Sequence, residues 1–106
     1  MVTRVVVKLR FEGVHAWPAC NIEAVAFLRH DHRHEFHVTA AKAVAHEDRE
    51  VEIVGLKRAL ETFCRAQFAG PHTMSCETMA RRLVEAFGLD RCEVLEDGEN
   101  GAEVVA

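Results

Sequence analysis

The hydrophobic period of this chain changes twice, and the order of those periods restricts the fold more than any other feature. From Val2 to Phe11 the pattern alternates, with Val5, Val7, Leu9 and Phe11 on one face and Arg4, Val6, Lys8 and Arg10 on the other. A period of two is that of a strand buried on one side. Glu12-Gly13 interrupts it, and Pro18, which restricts Trp17 as well as itself, opens an irregular stretch. Residues 19–29 are apolar but of no decisive period. His30 to Ala45 reads as a long strand with Phe36, Val38, Ala40, Lys42 and Val44 on one face. Glu47-Asp48-Arg49 then makes a turn into a short strand at Val51–Ile53.

The period then becomes helical. Leu56, Leu60 and Phe63 fall at i, i+4 and i+7, and Gly70-Pro71 ends that unit. Ser75 is an N-cap with Glu77 in the first turn, Met79, Leu83 and Phe87 form a second stripe, and Gly88 stops it. Arg91 to Glu96 and Ala102 to Val105 return to alternation, as a hairpin across Asp97–Gly101. The order is β-β-β-α-α-β-β. This predicts an α+β fold, with two helices on one face of a mainly antiparallel sheet.

At 106 residues and 11.9 kDa the chain forms one domain, residues 1–106, without repeat or linker. Such a domain buries roughly two thirds of its chain surface, so it folds with little core to spare. Thirteen Lys and Arg against seventeen Asp and Glu, a net charge of -4, speak against a general nucleic-acid binder. No apolar run approaches the roughly 20 residues of a membrane span, and the first residues enter the alternating pattern without a signal-peptide layout. The expectation is a cytoplasmic protein with no membrane partner. Its four cysteines are dispersed with no C-x-x-C pair, which favours free thiols over disulfides and gives a four-cysteine zinc site no support.

Three of the seven histidines lie within five residues. His32 and His34 share a strand face, roughly 7 Å apart at the backbone. Imidazoles at that spacing can converge on one Zn²⁺ at about 2.0–2.1 Å each. A third ligand must come from elsewhere. His15 supplies it if the first strand pairs with this one; His30, of the same parity, is the alternative, while His37 has the opposite parity and faces away. Three histidines with an open fourth position are the catalytic kind of zinc site. The competing reading is a solvated strand face on which Asp31 and Glu35 join the histidines in a pH-sensitive patch.

Five motifs follow one another along the chain: Phe11-Glu12-Gly13-Val14-His15, His32-Arg33-His34-Glu35-Phe36, Glu52-Ile53-Val54-Gly55-Leu56-Lys57, Met74-Ser75-Cys76-Glu77 and Val94-Leu95-Glu96-Asp97. In order and spacing, over residues 4–104, this succession resembles the 6-pyruvoyl-tetrahydropterin synthase and 6-carboxytetrahydropterin synthase family. Its members carry F-x-A-A-H, H-G-H, D-F-x-x-L-K, P-T-x-E and V-x-E-T in that order. The resemblance implies His15, His32 and His34 as zinc ligands. It makes Glu96 the carboxylate that grips the guanidine-like edge of a pterin, a task suited to a group that accepts two parallel N–H bonds, and it lines the site with Glu77. It further implies a T-fold, in which subunits join their sheets into an oligomeric barrel, usually a hexamer, with sites at subunit interfaces. The implied activity is that of a zinc-dependent carbon–oxygen lyase acting on dihydroneopterin triphosphate or a related pterin.

The chain departs from the family in its acid–base residues. Leu28 stands where the family carries its catalytic cysteine, and Cys20 lies twelve residues before His32. The family's D-H-x-x-L-N segment is missing, Phe68-Ala69 falls in its place, and His72 is the nearest histidine. Arg33 replaces the glycine of H-G-H, and Met74-Ser75 replaces Pro-Thr. Cys20, His72 and Cys76 are therefore the candidate proton-handling residues. Cys76, at a helix N-terminus, is expected to have a depressed thiol pKa. Cys64 and Cys92 read as core, Trp17 as packing beneath the site loop in preference to stacking on a flat ligand, and Asp97 as a turn residue facing away from Glu96. Without the acid–base residues the same scaffold makes a non-catalytic T-fold module that binds a pterin or purine-like ligand.

Overall fold

A computed structural model describes residues 1–106. Strand β1 (Thr3–His15) leads through a 3-10 segment (Glu23–Arg29) to strand β2 (His32–Val44). Helices α1 (Ile53–Phe68) and α2 (Cys76–Phe87) follow, then strands β3 (Arg91–Glu96) and β4 (Asn100–Val105). The strands form one antiparallel sheet in the order β1-β2-β3-β4. The α+β class is as expected, and both helices lie on one sheet face. That face carries Val7, Leu9 and Phe11 of β1, Phe36 and Val38 of β2, and Cys92 and Val94 of β3, packed on Leu60, Cys64, Phe68, Met79 and Leu83. No helix is long and apolar enough to cross a membrane.

The sheet has four strands, not five. Val51–Ile53 is not a strand, because the Glu52 carboxylate accepts hydrogen bonds from the amides of Val54 and Gly55 and caps α1 at its first turn. Those amides have no partner inside a helix, so a side-chain acceptor just before them decides the local structure. The run Val51, Ile53, Val54 carries β-branched residues, but Ile53 and Val54 stay half exposed on the first helical turn.

Gly13 also behaves differently from expectation. Rather than ending β1, it continues it: Gly13 pairs with His34, Val14 with Arg33 and His15 with His32. A Cβ there would lie 2.6 Å from the Phe68 carbonyl oxygen and 2.9 Å from Cε2 of Phe36. The glycine thus marks a close approach of backbone to core, which is a recognised use of glycine inside a strand. Above it Phe11 stacks on Phe36, with ring centroids 5.4 Å apart.

The helix ends follow sequence chemistry. The Ser75 hydroxyl accepts from the Thr78 amide at 3.1 Å, and Gly88 adopts the left-handed conformation with φ 61° after α2. The Lys42 ammonium donates to the Phe87 carbonyl, placing a positive charge at the negative end of that helix. All four cysteines are free and buried, and burial pushes the Cys64 and Cys92 thiols up to about 12. The outer edges of β1 and β4 pair with no strand, and no helix covers the face carrying Lys8, Arg10, His37 and Glu93.

Gly13→Ala is expected to destabilise the protein by about 1–3 kcal/mol, the usual cost of forcing an extra carbon into a packed core. Gly55→Ala, where the nearest atom is the end of the flexible Glu52 side chain at 3.0 Å, should cost much less. Urea unfolding midpoints of the two variants check this.

Candidate metal centre

The β1–β2 register places His15 directly opposite His32, with His34 two residues further along β2. The β2–β3 register sets Glu96 opposite Phe36, so its side chain enters from the neighbouring strand on the same face. The imidazole rings crowd together, with centroids 4.6 Å apart for His15 and His32, 5.4 Å for His15 and His34, and 5.0 Å for His32 and His34.

Each ring is held through Nδ1. His15 Nδ1 donates to the Met74 carbonyl at 2.9 Å, His32 Nδ1 to the His30 carbonyl at 2.8 Å, and His34 Nδ1 to the Asp97 carboxylate at 2.7 Å. All three partners are pure acceptors, so Nδ1 carries the proton and the neutral ring presents its Nε2 lone pair. Orientation of a ligating imidazole through its second nitrogen is the usual outer arrangement of a metal site.

The Nε2 atoms of His15 and His34 are buried without a hydrogen-bond partner. Glu96 Oε2 comes within 2.9 Å of the first and 3.5 Å of the second, close but not aligned for a hydrogen bond. Buried polar atoms of this kind are costly unless something satisfies them. His15, His32, His34 and Glu96 each offer one donor atom, all within 4.8 Å of one another, so the cluster could hold a metal ion. Three imidazoles and a carboxylate are a donor set that Zn²⁺ accepts.

His30, the alternative third ligand, is exposed and contributes its carbonyl rather than its ring. His37 lies on the other sheet face, 2.9 Å from Glu35.

A cavity of about 400 Å³ adjoins the cluster. His15, His32 and Glu96 border it on the side of the cluster, and Cys76, Glu77 and Trp17 lie among its other walls. Trp17 therefore faces the cavity, 44% exposed, instead of packing beneath a loop. Leu28 also lines it.

The three candidates for proton transfer fare differently. Cys76 reaches the cavity, but its thiol is pushed up to about 12, by burial first and then by the nearby Glu96 and Glu77. The expected depression at the helix N-terminus is overturned, because two carboxylates and desolvation outweigh the helix dipole. His72 does not border the cavity. Its Nε2 donates to the Phe68 carbonyl at 3.1 Å and its Nδ1 accepts from the Met74 amide at 3.0 Å, so both nitrogens are committed. Burial, then the neighbouring His15, holds its pKa below the ordinary imidazole value. Its backbone bonds to Val14 and Ala16 clamp residues 72–74 beside β1, which brings the Met74 carbonyl to His15. Cys20 is buried away from the cavity, its thiol 3.8 Å from the carbonyls of Ile22 and Val25.

Asp97 is the residue that parity alone misplaces. Its φ of 57° turns the chain back, so that Oδ2 accepts a hydrogen bond from His34 Nδ1 while Oδ1 accepts from the Glu35 amide at 3.0 Å. These bonds, that from His34 foremost, hold its carboxyl below the usual carboxylate range. The signal present in the sequence was the pair Asp97-Gly98, which favours a sharp reversal; the register that sets residue 97 beside Glu35 is visible only in the structure.

The purified protein should carry about one metal ion per chain. His15→Ala, His32→Ala and His34→Ala should lose it, whereas His30→Ala keeps the carbonyl and should retain it. Asp97→Ala should weaken metal affinity by roughly 10–100-fold, as loss of an orienting partner does. Elemental analysis and competition with a chromogenic chelator read these outcomes. No protein-family model matches this chain, and no curated protein matches it.

Proposed function

We propose that this chain is a zinc-dependent protein of the 6-pyruvoyl/6-carboxytetrahydropterin synthase type, acting on dihydroneopterin triphosphate or a related pterin. The observation that carries the reading is the convergence of three imidazoles, each oriented through Nδ1, beside a cavity that His15 and His32 border together with two carboxylates, Glu77 and Glu96. His15, His32 and His34 would hold the zinc. Bound there, Zn²⁺ supplies a Lewis acid that polarises hydroxyl or carbonyl oxygens on a ligand's side chain and eases proton loss from the adjacent carbons. Glu77 and Glu96 offer acceptors for the amino and ring N–H groups of a flat heterocycle. Trp17 gives the cavity a planar wall against which such a ring can lie.

A second reading, a non-catalytic module that binds a pterin or purine-like ligand, is favoured by the proton-handling candidates. Cys76 stays protonated at neutral pH, His72 has both nitrogens committed, and Cys20 is outside the cavity. Zinc-loaded protein incubated with dihydroneopterin triphosphate separates the two. A product of altered mass supports the synthase reading. Unchanged mass with calorimetric binding supports the module, and the absence of both turnover and binding would overturn the pterin assignment.

The T-fold barrel belongs to the same proposal. Apart from the end at Val14–Ala16, where residues 69–72 bond to it, the outer edge of β1 is unpaired, as is that of β4, and such edges invite pairing with further chains; Val6 and Val105 on these strands are 51% and 65% exposed. Light scattering at micromolar concentration should give a multiple of 11.9 kDa, with six copies favoured. A monomer mass would count against the barrel.

A further inference from the structure

We propose that Glu96 is the fourth ligand of the resting metal centre, so that the centre is closed until an incoming ligand displaces the carboxylate. The proposal rests on the three-histidine metal site above and assigns to Glu96 a role at the metal in addition to the pterin contact.

Four ligands at about 2.0–2.1 Å around a tetrahedral zinc lie about 3.3–3.4 Å from one another. Glu96 Oε2 stands 2.9 Å from His15 Nε2 and 3.5 Å from His34 Nε2, distances that bracket that edge. The carboxylate takes part in no aligned hydrogen bond that would explain its place. Its neighbour Asp97 does the opposite, spending both oxygens on His34 and on the Glu35 amide. Of the two adjacent acids, one is fixed and the other is free to bind.

Glu96 is also free to leave. Its side chain is 30% exposed and borders the cavity, so a rotation about its own bonds carries the carboxylate from the cluster into the space a ligand would occupy. An oxygen donor that took its place on the metal would leave a carboxylate standing beside the cavity without a partner. A ligand that also brings N–H donors satisfies both sites at once. The centre therefore favours molecules that combine a metal-binding oxygen with an amidine- or guanidine-like edge over those that carry only one of the two. The exchange swaps one oxygen ligand for another and needs no redox partner.

Cobalt(II) reports on the coordination directly. Metal-free, untagged wild-type protein titrated with cobalt should bind one equivalent with the intense visible bands of a four-coordinate centre. Glu96→Ala and the isosteric Glu96→Gln should bind cobalt roughly tenfold more weakly or worse, since a direct ligand counts at least as much as an outer one. Added imidazole should coordinate in Glu96→Ala at a concentration roughly tenfold lower than in wild type, where it must first displace the carboxylate. Glu93→Gln, on the same strand and the other face, should match wild type in both respects. Equal cobalt affinity and equal imidazole response in wild type and Glu96→Ala would overturn the proposal while leaving the three-histidine site intact. Failure of wild type to bind cobalt, or undiminished binding by His15→Ala, would instead remove the site itself and the proposal with it.

Discussion

The pairing of the last three residues of β1 with the first three of β2 is the contact on which the site depends. It holds only because position 13 has no side chain: the β1 backbone passes between the Phe36 ring and the Phe68 carbonyl at a separation that a Cβ would not allow. With that passage open, β1 runs on far enough to carry His15 level with His32. Were β1 to stop at Phe11, the two histidines of β2 would face a cavity with no third imidazole, and the loop at residues 72–74 would lose the main-chain bonds to Val14 and Ala16 that hold it. The core and the histidine cluster are thus consecutive stretches of one ladder, aromatic at Phe11 and Phe36 and then imidazole at His15, His32 and His34.

Much of this was legible in the sequence, for a physical reason. Periodicity reports which face of an element meets the core, so the paired strands, both helices, the Ser75 cap and the Gly88 stop could be read from residue spacing. Parity likewise separated His32 and His34 from His37. What spacing does not contain is register between elements distant in the chain. His15 and His30 were equivalent by parity, and only the pairing with β2 puts one ring in the cluster and the other in solvent. Val51–Ile53 misled because its β-branched residues carry strand preference, while a single carboxylate at Glu52 meets the helix's unpaired amides. Asp97 was hidden by its positive φ, which cancels the alternation that parity assumes.

The electrostatics of the cavity run against proton transfer by its cysteine. Carboxylates at Glu77 and Glu96 suit a ligand that brings N–H donors, but the same negative charges, with burial, keep the Cys76 thiol protonated. Recognition of a cationic or donor-rich edge and activation of a thiol make opposite demands on one small space, and the carboxylates around this cavity favour the first.

The three anchors of the imidazoles come from three separate regions. Met74 lies 59 residues from His15 in the chain, Asp97 lies 63 from His34, and His30 sits at the exit of the 3-10 segment. An ion seated on the rings would therefore tie together the inter-helix loop, the β3–β4 turn and the entrance to β2, adding to the few hydrogen bonds that join the turn to β2 and the loop to β1. Binding energy at such a knot is shared by all of them: at a free metal concentration a thousandfold above the dissociation constant it adds about 4 kcal/mol to the native state. Local opening of any one loop would then break the bond that orients one of the rings and weaken the hold on the ion. In a domain with so small a core, slowed amide exchange in those three remote segments would be the metal's signature on the chain as a whole.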